Sequence, residues 1–402
     1  MGQAALYLSG KGGVDILKKL KWNSKWIALA ICMTAVAALS LGLGLHIYRI
    51  HRLPACHVQI TGAAIDNDYN NFISEFDLVN DTGDLVRIGD KLYYNYYGSY
   101  ASYGLYEISH NHAQRIYWDG YGPYAFLIGY SYELYPIREY NGKLLMNTIM
   151  DGKHYVYNNT TKEWELAQER IQTYSEETQD FEEALLFGGI SDIYTLTYQE
   201  TSFGFVYESA ERHDLWVYTE EGGSEKISSE VVLPFYTVGE QIYYTTIATP
   251  SSPLVLHVFD WEKKTDAVIC QWTDYTNMRY FIIEGNNLIF VANDPAQNTQ
   301  SVYTYDLSDT SQKELPIYSI DRTTPDYAYI SSWNVWNGTV YLCTTKGLIA
   351  IDLDTGIHSV LCDKATLECD IVDDTWVYFL EEDNLYLWRV RKSGGKAELV
   401  LG

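Results

Sequence analysis

The sequence predicts an all-β fold built from one repeated sheet, and three observations point there. Tyrosine dominates, with 37 Tyr beside 12 Phe and 11 Trp in 402 residues, a bias toward pleated, half-buried strands. A Gly-containing turn followed by an aromatic strand recurs along most of the chain. Each recurrence alternates apolar and polar residues at period two and is bounded by Gly, Asn, Asp or Ser, as in strands joined by tight turns.

The repeat begins after a different kind of segment. Residues 26–45, "WIALAICMTAVAALSLGLGL", are 20 residues without a charge, enough at a rise of about 1.5 Å per residue to cross a hydrocarbon core of about 30 Å. Lys11, Lys18, Lys19, Lys21 and Lys25 precede it, and only Arg49 and Arg52 follow it closely. The positive-inside rule then predicts a cytoplasmic N-terminus, with everything after about residue 50 outside. Trp22 and Trp26 sit where an interfacial aromatic belt is expected. The alternative is a cleaved signal peptide with "LPAC" (Leu53 to Cys56) as its box. Against it, "HIYRIHR" separates the apolar run from that Cys, and the run is longer than a signal core. The expected organisation is a cytoplasmic tail at 1–25, a transmembrane helix at 26–48, a linker at 49–79 and an extracytoplasmic domain at 80–402 of a single-pass cell-membrane protein.

Within that domain the turn and aromatic strand read "GDKLYYNYY" from Gly89, "NGKLLMNTI" from Asn141, "GEQIYYTTI" from Gly239, "GNNLIFVAN" from Gly285 and "NGTVYLCTT" from Asn337. "SFGFVYES" from Ser202 and "DDTWVYFLE" from Asp373 are weaker members. A further strand follows each: "YGLYEIS", "KHYVYNN", "DLWVYTE", "LVLHVFD", "SVYTYDL", "GLIAIDL" and "NLYLWRV". A polar turn and another strand follow, as in "DTGIHSVL", and a strand such as "DLVRIG" or "YFIIEG" precedes the Gly turn. Seven units in about 320 residues average about 46 each, the size of a four-stranded propeller blade. The predicted architecture is a β-propeller of seven four-stranded blades, with six or eight as alternatives. Uneven spacing, including long inserts after the first two units, is accommodated by surface loops. The acidic run "SEETQDFEE" from Ser175 to Glu183 reads as one solvated insert.

These repeated "G-x-x-[LIV]-[YF]-[YF]" and "[LI]-Y-x-[IY]-D" strands resemble the bacterial extracytoplasmic propellers related to the TolB, quinoprotein and low-density-lipoprotein-receptor YWTD families, including membrane-anchored families of unknown function. The resemblance covers residues 80 to 402 and implies the fold while leaving function open. No intact YWTD tetrapeptide and no regular Trp docking motif occur, so no pyrroloquinoline cofactor, nor any other, is expected.

Charge narrows the partners. The first 52 residues hold seven basic residues and one acidic one, leaving 21 basic and 52 acidic residues and a net charge of about −31 beyond them. Such a surface repels nucleic acid and anionic head groups and attracts cations. Of the six cysteines, Cys32 lies in the apolar run and Cys56 just beyond it, and no C-x-x-C pair occurs. The spacing of Cys362 and Cys369 allows a short disulfide loop, though the fold is not expected to depend on disulfides.

Several motifs suggest chemistry. Asp81-Thr82-Gly83 and Asp354-Thr355-Gly356 match the tripeptide of pepsin-like proteases, whose two carboxylates must converge to share a proton. In the repeat, however, Asp354 aligns with Asp309-Thr310-Ser311 and Asn159-Thr160-Thr161, the turns between the last two strands of other units, which predicts a hairpin turn. "SGKGGV" near the N-terminus resembles a phosphate loop but is followed by Asp15, Ile16 and Leu17 instead of Gly, Lys and Ser or Thr. "DNDYNNFISEFD", Asp66 to Asp77, partly matches a calcium loop, with Asn71 at the Gly position and Asp77 at the Glu position. His110 and His112 form H-x-H in a predicted turn without a third ligand at a recognisable spacing. No G-x-S-x-G or H-E-x-x-H occurs, so no catalytic or metal-ligating set is assigned.

One recurrence predicts a binding rim. The segments before the innermost strands of three units read "YWDGYGPY", "QWTDYTNMRY" and "TPDYAYISSW". Connections at this position emerge on one rim of a propeller. Asp119, Asp274 and Asp326 are thus expected to face one another, with Tyr121, Tyr275 and Tyr327 as rigid amphipathic contacts. The expected function is recognition or scaffolding for a cell-wall component, a peptide or a neighbouring membrane protein. The alternative is a carbohydrate-active hydrolase or lyase using carboxylates in the channel; interblade packing of these aromatics is the structural alternative.

Overall fold

Among the described residues, seven sheets of four antiparallel strands follow one another along the chain, each strand hydrogen-bonded to its successor within the sheet. The structure is a computed structural model that describes residues 33–37, 40, 53–65, 85–96, 103–118, 137–140, 142–148, 153–166, 170–175, 180–185, 198–209, 214–219, 222–229, 231–247, 253–272, 281–294, 297–308, 315–323 and 328–402. Sheet one comprises β1 (Leu85–Ile88), β2 (Lys91–Tyr96), β3 (Gly104–Ser109) and β4 (His112–Tyr117). Sheet two comprises β5 (Ile137–Tyr140), β6 (Lys143–Thr148), β7 (Lys153–Asn158) and β8 (Glu163–Leu166). A separate hairpin, β9 (Arg170–Ser175) and β10 (Asp180–Leu185), occupies the predicted acidic insert. Sheet three is β11 (Tyr198–Thr201), β12 (Gly204–Ser209), β13 (Asp214–Thr219) and β14 (Gly223–Ser228). Sheet four is β15 (Val231–Val238), β16 (Gln241–Thr246), β17 (Leu254–Asp260) and β18 (Thr265–Trp272). Sheet five is β19 (Phe281–Glu284), β20 (Asn287–Asp294), β21 (Thr299–Asp306) and β22 (Leu315–Asp321). Sheet six is β23 (Ile330–Trp336), β24 (Thr339–Thr344), β25 (Gly347–Asp352) and β26 (His358–Cys362). Sheet seven is β27 (Thr366–Asp370), β28 (Trp376–Glu381), β29 (Leu387–Arg391) and β30 (Glu398–Leu401).

Seven sheets are what the repeats predict, and each predicted unit, including the two weaker ones, coincides with one sheet. Burial grades across a sheet. The first strands are covered, as in β19 (Phe281, Ile282 and Ile283 all buried), whereas fourth strands alternate or face solvent, as in β26 (His358, Ser359 and Val360 exposed). First strands of successive sheets also neighbour one another, as β1 with β5 and β23 with β27 do. This is the radial arrangement of a β-propeller.

The core is a chain of interfaces between sheets. Tyr93 and Leu105 of sheet one pack with Leu144 and Tyr157 of sheet two. Val206 and Val217 of sheet three meet Phe235 and Tyr244 of sheet four. Sheets four, five and six share one cluster containing Leu256, Phe290 and Trp333. Tyr341 and Cys343 of sheet six meet Cys369 and Phe379 of sheet seven. Leu85, Leu92 and Tyr106 of sheet one then pack on Tyr378, Leu387 and Leu401 of sheet seven, so the last sheet closes on the first. Each fully buried Leu here stabilises the ring by about 1.5–3 kcal/mol relative to exposure.

Among the described residues, no strand is exchanged between the ends at this closure. Residues 54–65, inside the stretch that the sequence assigns to a linker, are laid across it instead. Cys56 bridges Leu401 and Ala64 bridges Asp373, while Ala55 N donates to Gly402 O, His57 N to Val400 O and Ile60 N to His110 O. This segment spends its backbone donors on both end sheets. Pairing edge groups in this way removes the open edge that β30 would otherwise present.

Of the predicted transmembrane span, the structure describes residues 33–37 and 40, which are helical and exposed. No helix among the described residues is long and apolar enough to cross a membrane. The described cysteines, Cys362 and Cys369 included, are free thiols.

Candidate functional site

All six predicted rim residues, Asp119, Tyr121, Asp274, Tyr275, Asp326 and Tyr327, lie outside the described residues, as do Asp81 and the loop from Asp66 to Asp77. The strands around the rim residues are described. The three segments run from β4 to β5, from β18 to β19 and from β22 to β23, each joining the fourth strand of one sheet to the first of the next.

The Asp-Thr-Gly motif at 354 is a hairpin turn between β25 and β26, with Asp354 exposed. The capping group is Asp352, two residues earlier. Its Oδ1 accepts from Thr355 N at 2.8 Å and Thr355 Oγ1 at 2.6 Å, and Gly356 N donates to its carbonyl at 2.9 Å. Those bonds from Thr355 hold the Asp352 carboxyl below the usual aspartate range. The last residue of the third strand plays the same part elsewhere. Asn158 Oδ1 accepts from Thr160 N, Asp260 Oδ1 from Lys263 N and Asp306 Oδ1 from Ser308 N. The alignment of Asp354 with Asn159 predicts the turn, but the polar residue that shapes it is the one ending the third strand; Asp309, also aligned with Asp354, lies outside the described residues.

His110 sits at the β3–β4 turn with φ of 56° and an exposed ring, and His112 opens β4 on the solvent side. Among the described residues, no group of three or more His, Cys, Asp or Glu side chains is placed to hold a metal ion.

The structure assembles a polar array in sheet four that the motif search does not anticipate. Thr246, His257 and Asp266 come from three adjacent strands, β16, β17 and β18. Thr246 pairs with Val255 and His257 with Val268, so the three side chains lie diagonally along one face. Thr246 Oγ1 is 3.0 Å from His257 Nε2, and His257 Nδ1 is 3.1 Å from Asp266 Oδ2. Tyr244 donates its hydroxyl to Asp266 Oδ1 at 2.9 Å and stacks on the imidazole, with centroids 5.0 Å apart and planes 9° apart. Burial raises the Tyr244 phenol well above its ordinary range, and the Asp266 charge adds to the rise. That phenol therefore remains a donor at neutral pH. The His257 side chain is 16% exposed and that of Asp266 40%, so the array runs from a half-buried imidazole out to solvent.

A second polar cluster lies at the closure. Lys392 Nζ donates to Asp373 O at 2.7 Å and stands 3.1 Å from the centroid of the Trp336 ring. Burial pulls its ammonium down to about 8, against the opposing pull of the Asp373 and Asp374 charges. Beside it, the guanidinium groups of Arg389 and Arg391 stand 4.0 and 4.7 Å from the centroid of the Trp376 ring. These are cation–π contacts that stiffen the closure.

No protein-family model matches the sequence, and no curated protein matches it. Among solved structures the chain is similar to the computationally designed Ika8 protein, at 11% identity over 84% of this chain and 99% of that one, with a TM-score of 0.47. It is also similar to the β-propeller domain of the Trilobed protease from Pyrococcus furiosus, a domain of open velcro topology, at 13% identity over 79% and 96% of the two chains, TM-score 0.43. Hsv2 from Kluyveromyces lactis is a third, at 10% identity over 62% and 70%, TM-score 0.37. Identities this low concern the fold alone. The propeller itself rests on the seven sheets and the closure described above.

Proposed function

We propose that this chain is a membrane-anchored, extracytoplasmic recognition and scaffolding propeller. Its partner is a cell-wall glycan, a peptide or a neighbouring membrane protein, held through the rim that carries Asp119, Tyr121, Asp274, Tyr275, Asp326 and Tyr327. The observation that supports the rim is topological: the three Asp- and Tyr-bearing segments begin and end at equivalent strands of their sheets. A ring whose ends are pinned together offers such segments a stiff frame, which lowers the ordering cost of binding. The anchor is supported by the uncharged run at 26–45, and by the exposed Met33 and Val36 side chains on its described helical residues.

Capture experiments test the reading. Purified full-length chain is mixed with wall sacculi in one arm and cross-linked in its native membranes in the other. Capture in either arm, abolished by the paired substitutions Tyr275→Ala and Tyr327→Ala, is expected. Capture that survives both substitutions removes the rim assignment, and no capture in either arm removes the recognition role. Any shortened fragment has to begin before Pro54, because residues 55–65 form part of the closure.

A further inference from the structure

We infer that Thr246, His257 and Asp266 form a nucleophile, base and orienting group able to cleave esters of small acyl groups, an activity beyond the binding role. One neutral tautomer suits both contacts: with Nδ1 of His257 donating to Asp266 Oδ2 at 3.1 Å, the Nε2 lone pair faces Thr246 Oγ1 at 3.0 Å. That is the relation between hydroxyl, imidazole and carboxylate by which an acyl-transfer nucleophile is recognised, whatever the fold carrying it. One further group holds the base. Tyr244 covers one imidazole face and donates to Asp266 Oδ1, so the carboxylate bridges the ring and the phenol.

The hydroxyl bond is not required by the sheet, since the Thr246 residue pairs with Val231 on one side and Val255 on the other. Thr246 is also the last residue of β16 and half-buried.

The reaction follows from these positions. Thr246 Oγ1 attacks the ester carbonyl carbon, forming an O–C bond while its proton passes to His257 Nε2. The tetrahedral adduct collapses, its bond to the alkoxide breaks, and Nε2 returns the proton to the leaving oxygen. Water, deprotonated by the same nitrogen, then releases the acid and restores the Thr246 hydroxyl. The sum is ester plus water giving acid plus alcohol. Threonine is a secondary alcohol whose methyl crowds the attacking oxygen, which restricts the acyl group to a small one such as acetyl.

The test uses the full-length chain, an ethyl fluorophosphonate probe and p-nitrophenyl acetate. Mass spectrometry is expected to place the phosphonate on Thr246, with fluoride released. Thr246→Val, nearly isosteric, abolishes the adduct and Thr246→Ser retains it. His257→Gln slows both labelling and acetate release by about 100-fold, the scale of a lost general base. Asp266→Asn lowers the rate and changes its pH profile, which a merely structural role would leave alone. Should His257→Gln fail to fold, the Thr246 variants still decide. The inference is overturned if no adduct forms at Thr246, if a folded His257→Gln labels at the wild-type rate, or if Thr246→Val releases acetate unchanged.

Discussion

Arg87 Nη1 stands 2.9 Å from Asp373 Oδ2, joining the first strand of sheet one to the turn that opens β28 in sheet seven. The two side chains are 4% and 0% exposed. Neither charge is left with a single partner. Arg87 Nη2 donates to Gly62 O at 2.6 Å, and its Nε donates to Gly89 O at 3.1 Å. Asp373 accepts from Thr375 N, Trp376 N and the Tyr378 hydroxyl. One ion pair thus ties together both ends of the ring and the segment laid across them.

Breaking that pair leaves a buried charge without its counter-ion, a loss of about 3–5 kcal/mol. Arg87→Ala and Asp373→Ala are each expected to lower the unfolding free energy by that order, read as a shift in urea midpoint. The double variant loses less than the sum of the two, because the second substitution removes the charge stranded by the first. Additive losses, or single losses below about 1 kcal/mol, would mean that apolar packing alone closes the ring.

Gly347 and Gly104 make a second prediction. Each is the first residue of a third strand, β25 and β3, with φ of 144° and 143°. A Cβ on Gly347 would run into the Cys362 carbonyl, and one on Gly104 would stand 2.6 Å from the Tyr117 carbonyl. Both lie next to a register shift against the fourth strand, where the bulge brings the two backbones close. Alanine at either position combines a disfavoured φ with overpacking against backbone that cannot yield, costing about 1–3 kcal/mol. Thermal midpoints of the two variants check it; unchanged midpoints would mean that the bulge relaxes without cost.

What the sequence discloses and what it hides divide by contact range. Turn and strand signals are local, so "GDKLYYNYY" and "NGTVYLCTT" announce their hairpins, and even the weak "DDTWVYFLE" marks β28. The turn at Asp354 is legible from its repeat partners, although its capping carboxylate proves to be Asp352. The closure is not legible, because Arg87 and Asp373 are 286 residues apart and nothing local marks either as half of a pair. The array in sheet four is hidden for a related reason. Thr246, His257 and Asp266 follow no motif spacing and converge only once the register of β16, β17 and β18 is known. Their one signal is a polar residue at a matching pleat position in each of three consecutive strands, a test that needs the register first.

Tyrosines make the last prediction, since the residue type that betrays the fold also limits it at alkaline pH. Burial raises the phenols of Tyr106 and Tyr341 to about 12, and those of Tyr93, Tyr244 and Tyr378 further. Unfolded, each titrates near the ordinary tyrosine value of about 10. Above that pH the unfolded chain holds fewer protons than the folded one, so stability falls as pH rises. Lys392 acts in the opposite sense over a lower window. Its folded pKa of about 8 lies below the ordinary lysine value of about 10.4, so between those values the unfolded chain holds more protons and stability rises. The stability profile is therefore expected to climb gently above pH 8 and drop steeply beyond pH 10. Loss of the β signal in circular dichroism should coincide with the last part of the tyrosinate absorbance, after the exposed phenols have titrated, and Lys392→Met should remove the climb while leaving the drop. Titration of all 37 tyrosines near pH 10 while the sheet signal persists would show that these phenols are solvated, and the buried ring interfaces assigned to Tyr93, Tyr106 and Tyr378 would fall with it.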